Sequence, residues 1–333
     1  MKLRDIAVAL PSKRIDSALI AKWTGVDAEF ITQKIGVKSR AFLSEDETPV
    51  NLAKQACDNL FSRNPQLARD KIRLLIVVTQ NPDFKLPHSS ALLQSALGLE
   101  VSTASFDINL GCSGYVYSLT VAKAFMAAEE IVDGLVVTCD PYSRIMSKSD
   151  RDTVTVFGDA ATASWLSSEA GGEIGRLDFG TDGDRARHLM VKAGGSSYPV
   201  TGVWEQKPTT CRPEDFRLRM SGQGIFNFAM ERVPRSVLMC LEKNKLSVSD
   251  IDYFVFHQGS KFLLENLRKR LNLASEKVPV NLEDVGNTVS SSIPLLLSQM
   301  KDQGILGGKR ILMSGFGVGL SWASNIIEFG GYG

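Results

Sequence analysis

Histidine is scarce in this chain: three in 333 residues, His88, His188 and His257. None sits near a cysteine or another histidine at metal-ligand spacing, which argues against a zinc site built by the protein. The cysteines, Cys57, Cys112, Cys139, Cys211 and Cys240, are odd in number, widely spaced and without a CxxC pair. That pattern excludes a disulfide framework. Net charge is nearly absent, with 38 Lys and Arg against 37 Asp and Glu. A broad electrostatic footprint for nucleic acid is therefore not expected. No apolar run reaches the roughly 18–20 residues of a membrane span. The start, MKLRDIAVALPSKRID, lacks the long apolar core and small-residue cleavage site of a signal peptide, so the cytoplasm is the expected compartment. There is no GxSxG elbow, no GxxxxGK[ST] loop and no GxGxxG fingerprint. These absences count against α/β-hydrolases, P-loop enzymes and dinucleotide-binding folds.

What is present is a globular composition, 44% hydrophobic and 23% charged, in a chain long enough for two large domains or a fused pair. Strand-like and helix-like runs alternate, predicting an α/β protein. IRLLIVVTQ, TASFDINLG, GLVVTCD and TASWLSS read as strands in the first half, and SSALLQSALGL and GYVYSLTVAKAFMAAEE as helices. The second half repeats the order: strand IDYFVFHQG, helix KFLLENLRKRLNL, helix SSSIPLLLSQMKDQG, then strands KRILMSGFG and SWASNIIEF. Cys112 and Asn287 each precede a helix and then a strand. The repetition predicts two similar halves, 1–170 and 171–333. The Gly-, Ser- and Pro-rich stretch Lys192–Phe216 reads as an ordered surface loop or a linker between them.

Chemistry concentrates at NLGCSGY. Cys112 ends a strand and opens a helix, where free N–H groups and the helix dipole favour a thiolate. Gly111 and Gly114 would let the backbone turn sharply and let a substrate approach. Without those neighbours, Cys112 would read as a buried structural thiol. His257, in FVFHQGS, stands at the C-terminal end of a strand, where open α/β sheets place their sites. Taken alone it reads equally as a structural histidine. Asn287, in EDVGNTVSSS, reads alone as a turn or cap residue before a serine-rich helix start. SGFGVGLSW alternates glycines between two strands, which suits an oxyanion hole or a tight hairpin turn.

Together, FITQKIGVKSR, NLGCSGY, SDRDTVTVFGDAATA, RMSGQGIFNFA, HQGS, GNTVSSSIP and GFGVGLSW give a chain that resembles the β-ketoacyl-acyl carrier protein (ACP) synthase III family of the thiolase superfamily. The resemblance implies a duplicated, thiolase-like, five-layered αβαβα fold, a homodimer and the triad Cys112, His257 and Asn287. It implies that Cys112 takes an acyl group from acyl-CoA or acyl-ACP and condenses it with malonyl-ACP by decarboxylation, giving a 3-oxoacyl thioester in fatty acid biosynthesis. No tightly bound cofactor is implied; CoA and phosphopantetheine thioesters are substrates. Amides at Cys112 and near Val318, in the turn with Gly317, would hold the oxyanion, and Phe316 would help expel the carboxylate. Phe30 and Arg151 match the adenine clamp of CoA, although Phe30 alone could be a core aromatic. Met220, Gly222 and Phe226 match the pantetheine tunnel, with Ser260 where the family has an asparagine. Phe157 and Leu189 match the acyl pocket wall, and Leu86 the residue that reaches the partner subunit's pocket. Lys261 and Phe262 stand where an arginine implicated in ACP docking often stands. The turn has neither the glutamate of hydroxymethylglutaryl-CoA synthases nor the second cysteine of degradative thiolases. Two other functions stay open: acyl transfer to a non-malonyl acceptor in a specialised pathway, and a non-catalytic acyl-ACP-binding subunit.

Overall fold

The computed structural model describes residues 1–199 and 211–330. The first part of the chain runs β1 (Lys2–Ala9), β2 (Lys13–Asp16), α1 (Ser17–Thr24), α2 (Ala28–Phe30), β3 (Ser39–Phe42), α3 (Pro49–Arg63) and β4 (Ile72–Val78). It continues through α4 (Ser89–Leu97), β5 (Ala104–Ile108), α5 (Gly114–Ala128), β6 (Asp133–Cys139), α6 (Arg151–Val154) and β7 (Ala161–Ser167). Then come β8 (Gly172–Ile174), β9 (Asp178–Thr181), β10 (Leu189–Val191), β11 (Leu218–Met220), α7 (Gly222–Lys243) and β12 (Tyr253–Phe256). The chain closes with α8 (Lys261–Arg270), α9 (Ser292–Asp302), β13 (Arg310–Gly317) and β14 (Ser321–Glu328).

Local chemistry sets these boundaries. Thr48 caps α3 with Pro49 behind it, Asp16 caps α1, and Gly25 stops α1 in the left-handed region at φ 71°. The continuous apolar runs of β4 and β6 are those of strands covered on both faces. All the strands and helices expected above form, with boundaries differing by a few residues.

The strand pairing contains one pattern twice. In the first copy β4 lies parallel to β6, β6 antiparallel to β7, and β7 antiparallel to β1. In the second, β12 lies parallel to β13, β13 antiparallel to β14, and β14 antiparallel to β9. Short β8 pairs with both β1 and β14, so the two copies share one hydrogen-bonded sheet rather than two separate ones. Helices α3 and α4 cover the outer face of the first copy, and α7 and α8 that of the second. Helices α5 and α9 lie between, contacting strands of both copies. This is the five-layered αβαβα order.

One expectation fails. Lys192–Phe216 does not lie between the halves, because β9, before it, already belongs to the second pattern. Its ends adjoin β10 and β11, which pair with each other. Residues 200–210 of that stretch lie outside the described residues.

A buried ion pair fastens the middle layer to β1. Asp5 is 4% exposed. Its carboxylate accepts from Lys301 Nζ of α9 at 2.6 Å and from Asn64 Nδ2 at 2.7 Å. Burial alone would raise the Asp5 pKa, but the bonds from Lys301 and Asn64 hold it below the ordinary aspartate range. Lys301→Met removes the nearer of two cations from the buried carboxylate, leaving Arg63 Nε at 3.6 Å, and should cost about 2 kcal/mol near neutral pH, read by denaturant unfolding. Because the folded pKa is the lower one, the wild-type advantage should be complete above the unfolded aspartate value and fade as pH falls through the folded value. An unchanged unfolding midpoint at pH 7 would contradict it.

Candidate active site

Cys112 lies between β5 and α5 and is 3% exposed. Its flanking glycines have no positive φ; they are needed for space. A Cβ at Gly111 would lie 2.6 Å from Gln80 Oε1, and one at Gly114 2.5 Å from Val78 Cγ1. The turn between β13 and β14 presses on the nucleophile from the other half. A Cβ at Gly315 would lie 2.5 Å from the Cys112 carbonyl oxygen, and one at Gly317 2.8 Å from Cys112 Sγ. The Ser113 and Ser321 hydroxyls hydrogen-bond at 2.8 Å across this junction, and Ser321 also donates to the Val318 carbonyl at 2.8 Å.

The expected thiolate does not prevail. Burial, aided by the negative Asp140, pushes the Cys112 thiol up to about 12. The backbone amides of Cys112 and Val318 pull it the other way but do not win. Asp140 is itself pushed up to about 6 by burial, against hydrogen bonds from Ser290, Gln80 and Thr79. The two amides that reach the sulfur are those expected to hold an oxyanion.

His257 directly follows β12 and is 3% exposed. Its Nδ1 lies 2.7 Å from Ser292 Oγ. Burial drives the imidazole down to about 3, with the Val289 carbonyl opposing, so the ring is neutral at physiological pH. The Phe316 ring lies perpendicular to it at 5.6 Å between centroids. Asn287 precedes α9 and is 4% exposed. It is a turn residue, as its sequence alone suggests, because its Oδ1 accepts from the Val289 amide at 2.9 Å. That bond occupies the oxygen and leaves the Nδ2 donor for a ligand. Val289, which touches both side chains, is itself held at φ 54°, a costly conformation for a β-branched residue.

Cys112, His257, Asn287, Phe316 and Gly317 all line one cavity of about 980 Å³. Phe157 and Leu189 form buried wall in it, and Met220, Gly222, Phe226 and Ser260 line it farther out. Ser260 also caps α8 through the Leu263 amide at 3.2 Å. Phe30 and Arg151 border the same cavity; Phe30 is 51% exposed, so it is not a core aromatic. Val318 is not on the cavity wall, but its backbone amide reaches the Cys112 sulfur. Leu86 is the exception: it is 86% exposed and lies away from the cavity of its own chain. Sequence reasoning missed Ser292, Tyr142 and Phe262 as site components. Phe262 lines the cavity and stacks on Phe226 at 5.4 Å. Tyr142 packs on Phe157 at 5.1 Å and donates to Gln80 Oε1 at 3.1 Å. The sole sequence signal for Ser292 was the serine run at a helix start.

A buried thiol beside two backbone amides, facing a neutral histidine and an asparagine amide in a duplicated αβαβα fold, defines a thiolase-like condensing enzyme. Residues 106–183 match the family described as 3-oxoacyl-[acyl-carrier-protein (ACP)] synthase III, and residues 241–329 its C-terminal part. The chain is 33% identical over 329 residues to the β-ketoacyl-[acyl-carrier-protein] synthase III of Streptococcus sanguinis, covering 98% of both. Among solved structures, a 3-oxoacyl-(acyl-carrier-protein) synthase III superposes with a TM-score of 0.92 at 36% identity, covering 98% of this chain and 99% of that one. The corresponding synthase from Thermus thermophilus gives 0.89 at 30% identity over 100% of both chains. The chain belongs to the 3-oxoacyl-ACP synthase III family, and it is an acyltransferase of the condensing type.

The raised thiol gives a direct test. Alkylation of Cys112 by iodoacetamide should be slow at pH 7 and rise about tenfold per pH unit to pH 10, because only the thiolate reacts. A rate that levels off below pH 8.5, followed by peptide mass spectrometry, would show a thiolate at rest instead.

Proposed function

We propose that Cys112 carries the acyl group and that His257 and Asn287 then stabilise the enolate formed from a malonyl thioester. The observation that carries this reading is the convergence of all three on one cavity with the glycine turn. Sulfur attacks the acyl thioester carbonyl, and the thiol proton leaves on the departing CoA or carrier thiol. The Cys112 and Val318 amides hold the transient oxyanion. A malonyl thioester enters next. As carbon dioxide leaves, negative charge moves onto the thioester oxygen, where the Asn287 amide and the neutral His257 donate hydrogen bonds. The α-carbon attacks the acyl-enzyme carbonyl, the bond from carbon to Cys112 sulfur breaks, and the leaving thiolate takes a proton from solvent, regenerating the thiol and releasing a 3-oxoacyl thioester. Phe316, packed against the His257 ring, keeps the malonyl carboxylate in apolar surroundings that favour its loss. Simple acyl transfer to another acceptor would leave the Asn287 donor idle, so condensation is the better reading.

Phe30, Arg151, Met220, Gly222, Phe226 and Ser260 would bind the CoA or phosphopantetheine arm, and Phe157 and Leu189 the acyl chain. Acyl-CoA and the acyl carrier protein are the proposed partners, in the cytoplasm. Among the described residues no helix is long and apolar enough to cross a membrane.

We also propose a homodimer. Strand β5 ends the sheet with one side unpaired among the described strands, and the nearby Phe84 and Leu86 are 60% and 86% exposed. An unprotected edge and exposed apolar side chains are features that pairing with a second copy would cover. Sedimentation at micromolar concentration should give a dimer; a monomer would remove Leu86 from any acyl pocket.

Intact mass after incubation with a panel of acyl-CoAs and acyl-ACPs should show one acyl adduct, lost in Cys112→Ala. Cys112→Ala should keep malonyl decarboxylation. Asn287→Ala should still acylate yet condense at least about 100-fold more slowly, the size of effect seen when an oxyanion donor is removed. Full condensation by Asn287→Ala, or no adduct on the wild-type protein, would sink the reading.

A further inference from the structure

We propose that Ser292 fixes the tautomer of His257, placing the single imidazole proton on Nε2 and thereby making the ring a hydrogen-bond donor to substrate. A neutral imidazole has one proton for two nitrogens, and the partner of one nitrogen decides which carries it. Here Nδ1 is 2.7 Å from Ser292 Oγ. Ser292 is 3% exposed in the first turn of α9, so water does not compete for the contact. Its oxygen also receives the Gln258 amide, at a long 3.4 Å. Among the described residues the Ser292 hydroxyl has no acceptor within hydrogen-bond distance other than Nδ1, so its proton points there. Nδ1 then accepts and Nε2 carries the hydrogen.

The Val289 carbonyl also acts on the ring, but Ser292 is the side chain bonded to Nδ1 and so selects the tautomer. The choice matters because the two tautomers do different chemistry. An Nε2–H ring donates to a carbonyl oxygen that is gaining charge, and it cannot take the thiol proton through that atom. Ser292 is therefore a positioning residue for the decarboxylation step, while acylation of Cys112 proceeds without it. The consequence for catalysis rests on the condensing role proposed above; the tautomer itself does not.

The tautomer can be read without any turnover. The chain has only three histidines, so protein labelled with ¹⁵N-histidine gives a long-range ¹H–¹⁵N spectrum that three single-histidine variants assign. The wild-type His257 should show a protonated Nε2 and an acceptor Nδ1. Ser292→Ala should move the pattern toward a protonated Nδ1, and Ser292→Thr, which keeps the hydroxyl, should restore it. Malonyl-thioester decarboxylation should fall about 10–100-fold in Ser292→Ala, the usual effect of losing a ligand-orienting partner, with acyl adduct formation within about threefold of wild type. A wild-type Nδ1–H ring overturns the proposal. So does a Ser292→Ala protein that keeps Nε2–H and full decarboxylation. If the wild type shows Nε2–H yet condenses nothing, the functional reading fails and the tautomer assignment stands.

Discussion

Everything at the nucleophile depends on a steric constraint: the turn between β13 and β14 meets the start of α5 with no room for a Cβ. At Gly315 the missing atom would collide with the Cys112 carbonyl, and at Gly317 with its sulfur. Two backbones therefore approach at bare-glycine distance, which is what brings the Val318 amide to the thiol. The constraint is also the seam between the two copies of the fold, since α5 follows β5, which pairs with the first pattern's β4, and the turn follows the second pattern's β13. The Ser113–Ser321 hydroxyl bond is buried in the same seam. A pair of donors held this rigidly costs nothing to reorganise when charge appears on a carbonyl oxygen. The proposed oxyanion donors and the packing between the two copies thus rest on the same contacts.

The second consequence of that tight seam is electrostatic. Exclusion of water pushes the thiol to about 12, the imidazole to about 3 and the Asp140 carboxyl to about 6, with burial the leading cause each time. At rest the triad is neutral. That suits a reaction whose charge is transient and sits on thioester oxygens rather than on the protein. A standing imidazolium would attract the malonyl carboxylate and stabilise it, opposing its loss. The neutral ring and the phenylalanine ring beside it do neither. Low dielectric makes each remaining hydrogen bond count for more.

The parts of this arrangement that were legible in the sequence are those carried by contiguous residues. NLGCSGY, FVFHQGS, EDVGNTVSSS and SGFGVGLSW each combine a strand end with a turn or helix start, and each lands where that grammar predicts. The duplicated strand order was readable because both copies use long apolar strands. Strands of three residues, such as β8, β10 and β11, are too short to show a period. That is why Lys192–Phe216 looked like a linker between halves. The thiol's protonation was misjudged because helix position is local whereas burial is tertiary; the local terms exist but are outweighed. The flanking glycines were assigned to backbone freedom, when what requires them is the proximity of Gln80 and Val78. Ser292 could not be singled out, since its partner lies 35 positions away on another element.

Along the cavity the character of the wall changes. The inner part is fully buried, with Phe157, Phe316, His257 and Asn287 at a few per cent exposure or less. The outer part is built from exposed side chains: Phe30, Arg151, and Phe262 stacked on Phe226. A shift of about 1 Å in the reacting groups can cost about 100-fold in rate, so the inner wall has the least room for change. In the proposed reading the mouth would contact only the carrier end of the substrate, far from the reacting bond. Its exposed aromatics and cations can change without disturbing the seam at Cys112. Replacement of the expected arginine by Lys261 and Phe262 falls in this outer zone, where Phe262 joins an aromatic surface instead of presenting a charge. On the proposed reading, carrier preference and condensation chemistry would therefore be separable in this protein, one set by the exposed rim and the other by the glycine seam.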